Sequence, residues 1–190
     1  MKVGLYFGSF NPIHIGHLAI ANYMVEFTDM DRLWFVISPQ SPFKNKKSLL
    51  AEHHRLRLVE IAIEDDLRFK ASNIEFQMPK PSYTTDTLAY LKEKHPEHNF
   101  ALIMGEDNLK GFHKWKNYEE ILKNHHIYVY PRDYETLEKT QIKNFTIVKA
   151  PLIEVSSSFI RKAISEKKQV QYFMNQNVAD YIQEMHFYEK

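Results

Sequence analysis

Cysteine is missing from all 190 residues. Its absence excludes a disulfide framework, a thiolate nucleophile, an iron–sulfur cluster and any zinc site built on Cys, and it is compatible with a reducing compartment. Glycine is scarce at 5, so each permissive backbone position has a reason to be sought. A surplus of one charge is missing too. With 25 basic and 24 acidic side chains the formal net charge is +1, which offers no field for holding DNA, RNA or an anionic membrane. The longest apolar run, Leu33 to Ile37, is far short of the roughly 20 residues that span a bilayer. The start, MKVGLYFGSFNP, has neither the apolar stretch nor the small-residue cleavage site of a secretion signal. The expectation is a cytoplasmic protein with no nucleic-acid and no membrane partner.

What is present suffices for a core. Apolar residues make up 44% and aromatics 14%, which excludes a disordered chain, and the length suits one domain over 1–190. Short runs rich in β-branched and aromatic residues, Val3–Tyr6, Leu33–Ile37, Phe100–Met104 and Ile127–Tyr130, read as strands buried on both faces. Arg68–Ala71, Ile74–Gln77 and Phe145–Val148 are weaker strand candidates. Helical spacing marks 17–28, 52–64 and 85–95, then Ser157 to about Glu166 and Asn177 to Met185, so the part from about 157 to 190 is helical. Alternation of this kind predicts an α/β fold, an open parallel sheet with helices on both faces, Rossmann-like, with a short C-terminal helical extension. In such sheets ligands bind beyond the carboxyl ends of the strands.

The first strand is followed by Gly8-Ser9-Phe10-Asn11-Pro12, and Gly16 and His17 open the first helix. Backbone N–H groups in a tight loop and at a helix start are donors for phosphate. His14 and His17, on either side of Gly16, can add two imidazoles beside an anion. Taken alone the pair also reads as polar caps. A zinc pair has no evident third ligand nearby. Ser156-Ser157-Ser158-Phe159-Ile160-Arg161 follows a later apolar stretch; serine can cap the helix, and Arg161 emerges a turn later as a guanidinium for polyphosphate. Alone, that segment is equally a capped helix with an exposed arginine.

GSFNPIHIGH resembles the GGTFDPxHxGH signature of the HxGH nucleotidyltransferase superfamily, with Phe7, Ser9 and Asn11 as departures, and SSSFIR is similar to its second signature. Lys44, in Ser41-Pro42-Phe43-Lys44, occupies the position of the family's basic residue after the second strand, with Phe43 in place of histidine. Ser82-Tyr83-Thr84-Thr85-Asp86-Thr87-Leu88 resembles the SYTxDTL element of nicotinate mononucleotide adenylyltransferases, and Gly105-Glu106-Asp107-Asn108-Leu109 with Phe112 and Trp115 resembles their GxDxLxxFxxW.

The resemblance implies adenylyl transfer from ATP to nicotinate mononucleotide, giving deamido-NAD and pyrophosphate. His14, His17, Lys44 and Arg161 would be catalytic. Gly8, Ser9, Phe10, Gly16, Gly105, Asp107, Ser156, Ser157 and Ser158 would bind ATP, and Ser82, Tyr83, Thr84, Thr85 and Trp115 the pyridine nucleotide. Mg²⁺ would be held mainly through phosphates, with no dedicated protein metal site. The alternatives are a related HxGH enzyme acting on nicotinamide mononucleotide or phosphopantetheine, and a catalytically silent nucleotide sensor. Glu106 and the oligomeric state carry no assignment.

Overall fold

The computed structural model describes residues 1–39, 49–131 and 144–189. Six strands, β1 (Lys2–Gly8), β2 (Arg32–Ile37), β3 (Phe69–Ser72), β4 (Asn99–Gly105), β5 (Ile127–Tyr130) and β6 (Phe145–Ile147), form one sheet in the order β3-β2-β1-β4-β5-β6. Every neighbouring pair is parallel, and Tyr6 of the central strand stands opposite Phe35 of β2 and Ile103 of β4. The helices are α1 (Ile15–Phe27), α2 (Glu52–Ile63), α3 (Thr84–Lys94), α4 (Glu106–Lys110), α5 (Tyr118–Asn124), α6 (Ser157–Ser165) and α7 (Gln176–Glu184).

The central strands bury both faces, so alternate side chains feed two separate cores. Tyr6, Leu33, Phe35, Ile37 and Ile103 meet Met24 of α1, Leu58 and Val59 of α2, Ile160 of α6 and Val178 of α7. Val3, Leu5, Trp34, Val36, Leu102 and Met104 meet Leu88 and Leu91 of α3 and Ile121 of α5. Each fully buried aliphatic or aromatic side chain contributes about 1.5–3 kcal/mol, which is why these apolar runs were legible as two-sided strands. The expected open α/β sheet with helices on both faces is the observed fold.

One strand expectation is overturned. Ile74–Gln77 is a turn of 3₁₀ helix, because β3 ends at Ser72 and Glu75 turns inward, where Ser82 and Thr87 donate to its carboxylate at 3.0 and 2.8 Å. The short helices α4 and α5 went unpredicted, being too brief for a periodic signal. Among the described residues no helix is long and apolar enough to cross a membrane.

The chain steps outward from β1 to β3, then returns to lay β4 on the other side of β1. That reversal opens a crevice between the carboxyl ends of β1 and β4, where Gly8 and Gly105 end their strands.

Candidate active site

The loop leaving β1 is built tightly around one aromatic ring. Phe10 has φ 42°, a left-handed conformation that costs a bulky residue about 1–3 kcal/mol. Its surroundings enforce it: the buried ring meets Tyr6, Phe35 and His17 edge-on, at centroid distances of 5.6, 5.4 and 5.1 Å. Glycine at position 8 makes room, since a Cβ there would lie 2.7 Å from Phe10 Cζ.

His14 is the N-cap of α1, and only 5% of it is exposed. Its ring lies 3.7 Å, centroid to centroid, from that of His17. A Cβ on Gly16 would come 3.1 Å from the His14 ring, so this glycine serves the close approach of an imidazole. Burial lowers the His14 pKa from 6.5 to about 4, and its Nδ1 has no hydrogen-bond partner among the described residues. The His14 imidazole is therefore neutral at neutral pH. The His14 backbone N–H donates to His17 Nδ1 at 3.2 Å. In neutral His17 the proton is then on Nε2, making that atom a donor.

α6 arrives against the same loop. Ser156 caps it, its Oγ accepting from the Phe159 N–H at 3.2 Å. Ser157 Oγ donates to the Pro12 carbonyl at 2.8 Å, and Arg161 Nη1 to the Asn11 carbonyl at 2.7 Å. The hydroxyl proton of Ser157 is thus used inside the protein and serves to fix the loop. Asn11 Oδ1 accepts from the Leu50 N–H and the Tyr188 hydroxyl, at 3.2 and 2.8 Å. Both partners are donors, so the amide oxygen does here what a carboxylate oxygen would.

Together these elements enclose a cleft of about 910 Å³. Gly8, Ser9, Phe10, His14, Gly16 and His17 line one side, and Ser156, Ser157, Ser158 and Arg161 another, with Gly105 and Asp107 at the end of β4. The starts of α1 and α6 both open on it. Helix N-termini carry partial positive charge and free N–H groups, so the cleft is shaped for an anion. Two carboxylates, Asp107 and Glu154, come from separate segments of its wall, and no metal-binding cluster is found there among the described residues. The one cluster found, His95, Glu97 and His98, immediately precedes β4, at the amino ends of the strands and so away from the cleft, with Glu97 3.6 Å from His95 and 3.3 Å from His98.

The residues expected to hold a pyridine nucleotide form a second group. Among the described residues that line the cleft, none comes from Ser82–Thr85 or is Trp115. Tyr83 is the N-cap of α3 and gives it no side-chain cap, while Thr84 and Thr85 begin the helix. Lys116 joins the two segments: its ammonium stands 4.8 Å from the Tyr83 ring and 2.9 Å from Asp86. Trp115 packs against Phe112 at 5.3 Å. Lys44 lies outside the described residues.

Four structural partners of the site escaped the sequence reading: Arg55, Glu75, Tyr130 and Tyr188. Only Arg55 carried a signal. It stands on the buried face of α2 with Leu58 and Val59, where a charge is anomalous unless it has partners. Tyr130 packs edge-on to Tyr6 at 5.9 Å across the cleft floor.

The geometry agrees with comparisons to known proteins. Residues 5–163 match the cytidylyltransferase-like family. A protein of Flavobacterium johnsoniae named "Probable nicotinate-nucleotide adenylyltransferase" is 52% identical over all of both chains. One of the same name from Christiangramia forsetii is 53% identical over 99% of this chain and 98% of its own. Among solved structures, nicotinic acid mononucleotide adenylyltransferase of Plasmodium falciparum, complexed with NaAD, superposes with a TM-score of 0.82 at 21% identity, covering 98% of this chain and 97% of the other. A structure from Vibrio parahaemolyticus, titled as a putative nicotinate-nucleotide adenylyltransferase, gives 0.74 at 19% identity, covering 96% and 98%. These two share the fold. The sequence matches reach further: the chain belongs to the cytidylyltransferase-like family and, within it, to the nicotinate-nucleotide adenylyltransferases.

Proposed function

We propose that the protein transfers the adenylyl group of ATP to nicotinate mononucleotide, yielding deamido-NAD and pyrophosphate in NAD synthesis. The observation that carries the mechanism is the hydrogen bond from the His14 N–H to His17 Nδ1. It fixes His17 as an Nε2–H donor, aligned before substrate arrives.

A phosphate oxygen of the mononucleotide attacks the α-phosphorus of ATP, and the bond to the bridging oxygen of pyrophosphate breaks. The nucleophile is already an anion, so no general base is required. What remains is to align two anionic groups and to stabilise the charge that develops in transit. His17 Nε2–H would donate to the α-phosphoryl group. His14, uncharged, would lie beside the adjoining phosphate. Arg161 and Lys44 would neutralise the β- and γ-phosphates, and main-chain N–H groups of the Ser9–Phe10 loop and of Ser157 and Ser158 at the start of α6 would add neutral donors. Gly105 and Asp107 would border the nucleoside. The acceptor would lie toward Ser82–Thr85, where the first turn of α3 suits a small carboxylate, with Trp115 against the pyridine ring. The two wall carboxylates form no cage, so Mg²⁺ would enter as its ATP complex, held by phosphate oxygens and water.

This reading makes the protein a cytoplasmic enzyme of one domain, with small-molecule substrates and no nucleic-acid partner. The test is steady-state turnover with ATP–Mg²⁺ against a panel of acceptors. Deamido-NAD and pyrophosphate should form in equal amounts from nicotinate mononucleotide. Preferred use of nicotinamide mononucleotide or phosphopantetheine would reassign the acceptor, and no pyrophosphate from any of them would make the protein a sensor.

A further inference from the structure

Arg55 is fully buried, yet every acceptor it reaches among the described residues is a main-chain carbonyl. Nε donates to Leu50 at 3.0 Å, Nη1 to both Ser9 and Ser38 at 2.8 Å, and Nη2 to Pro39 at 2.9 Å. These carbonyls belong to three segments: the loop leaving β1, the end of β2 and the entry to α2. Burying a cation is costly, and an apolar side chain of similar volume is often the more stable choice. A planar guanidinium has one capacity such a residue lacks, a rigid fork of donors that holds several acceptors in fixed relation.

Its grip on Ser9 matters most. Ser9–Phe10 is not among the cis peptides of the chain, and in a trans peptide C=O and N–H point in opposite directions. Drawing the Ser9 carbonyl toward Arg55 therefore turns the Phe10 N–H away from it. Both residues line the cleft, and Phe10 is the one held in the left-handed conformation. The aromatic cage fixes the side chain of this residue, Arg161 and Ser157 hold the carbonyls of Asn11 and Pro12 after it, and Arg55 holds the carbonyl before it.

We propose that Arg55 is a positioning residue for adenylyl transfer, setting the orientation of the Ser9–Phe10 peptide from beneath the cleft without touching substrate. This rests on the function proposed above. It goes further in assigning catalytic weight to a group outside both signatures.

Arg55→Met tests it, because methionine fills the space with an apolar chain. The expected result is a folded protein with unchanged or raised Tm, a kcat lower by about 10²-fold, as for a misplaced binding element, and a KM for ATP altered much less. In Arg55→Ala, added methylguanidinium should restore part of the lost kcat. Should Arg55→Met fail to fold, Arg55→Lys replaces it. A single ammonium cannot hold the same carbonyls, so the same loss of kcat is expected. A folded variant with kcat within threefold of wild type would overturn the proposal, as would failure of methylguanidinium to restore any activity to folded Arg55→Ala. A second readout does not need turnover: inorganic pyrophosphate should shift the Phe10 amide resonance of the wild type and not that of the variant, and equal shifts would count against the proposal. Wild type that makes no deamido-NAD would sink the functional reading alone, while the pyrophosphate titration would still judge Arg55.

Discussion

Tyr188 donates a 2.8 Å hydrogen bond to Asn11 Oδ1, tying the end of the chain to the loop that follows its first strand. Burial pushes the tyrosine pKa up, so the hydroxyl keeps its proton and stays a donor. Tyr188→Phe removes this bond while leaving the Leu50 N–H on the same oxygen. The variant should lose about 1 kcal/mol and about 2–4 °C in Tm, with a several-fold rise in the KM for ATP as the loop loosens. Unchanged Tm and KM would mean that Leu50 alone suffices.

His14 makes stability depend on pH. Its folded pKa of about 4 lies below the ordinary 6.5, so between those values the unfolded chain binds more protons than the folded one. Stability should therefore rise with pH across this window and be fully present above 6.5, with protonation costing the fold up to about 3 kcal/mol. Urea midpoints at intervals from pH 4.5 to 7 would measure the slope. It should flatten in His14→Gln, and an identical slope in that variant would assign it to other groups.

Glu75 holds the approach to α3. Its buried carboxyl accepts from Ser82 and Thr87, and burial raises its pKa. Glu75→Gln should raise the KM for nicotinate mononucleotide several-fold and that for ATP less, because Ser38, whose N–H donates to Gly8 at the end of β1, shares the Glu75 carboxylate with Ser82 and Thr87. A parallel rise in both constants would place its effect on the whole fold.

The sequence disclosed the parts of this site that have local signatures. Gly8 to His17 and Ser156 to Arg161 stand next to a strand end and a helix start, and both features are written in neighbouring residues. Strands buried on both faces were legible for the same reason, as in Leu33–Ile37. The supports were not, because each joins residues remote in sequence. Nothing near Tyr188 names Asn11 as its partner, and nothing near Arg55 names Ser9. Ile74–Gln77 misled because its alternating apolar pattern suits a strand, whereas the pull of Ser82 and Thr87 on Glu75 is a tertiary effect. Gly16 lines the cleft as its place at the helix start suggests, whereas the packing of the His14 ring against it is a tertiary relationship.

The central claim is that His17, set by the His14 N–H, donates from Nε2 to the α-phosphoryl group in the transition state. Single-turnover formation of deamido-NAD by His17→Ala, with saturating ATP–Mg²⁺ and nicotinate mononucleotide, tests it most directly. Loss of one such donor should slow the chemical step by about 10²–10³-fold, with circular dichroism and substrate affinities near wild type. A rate within tenfold of wild type in a folded variant would contradict the account.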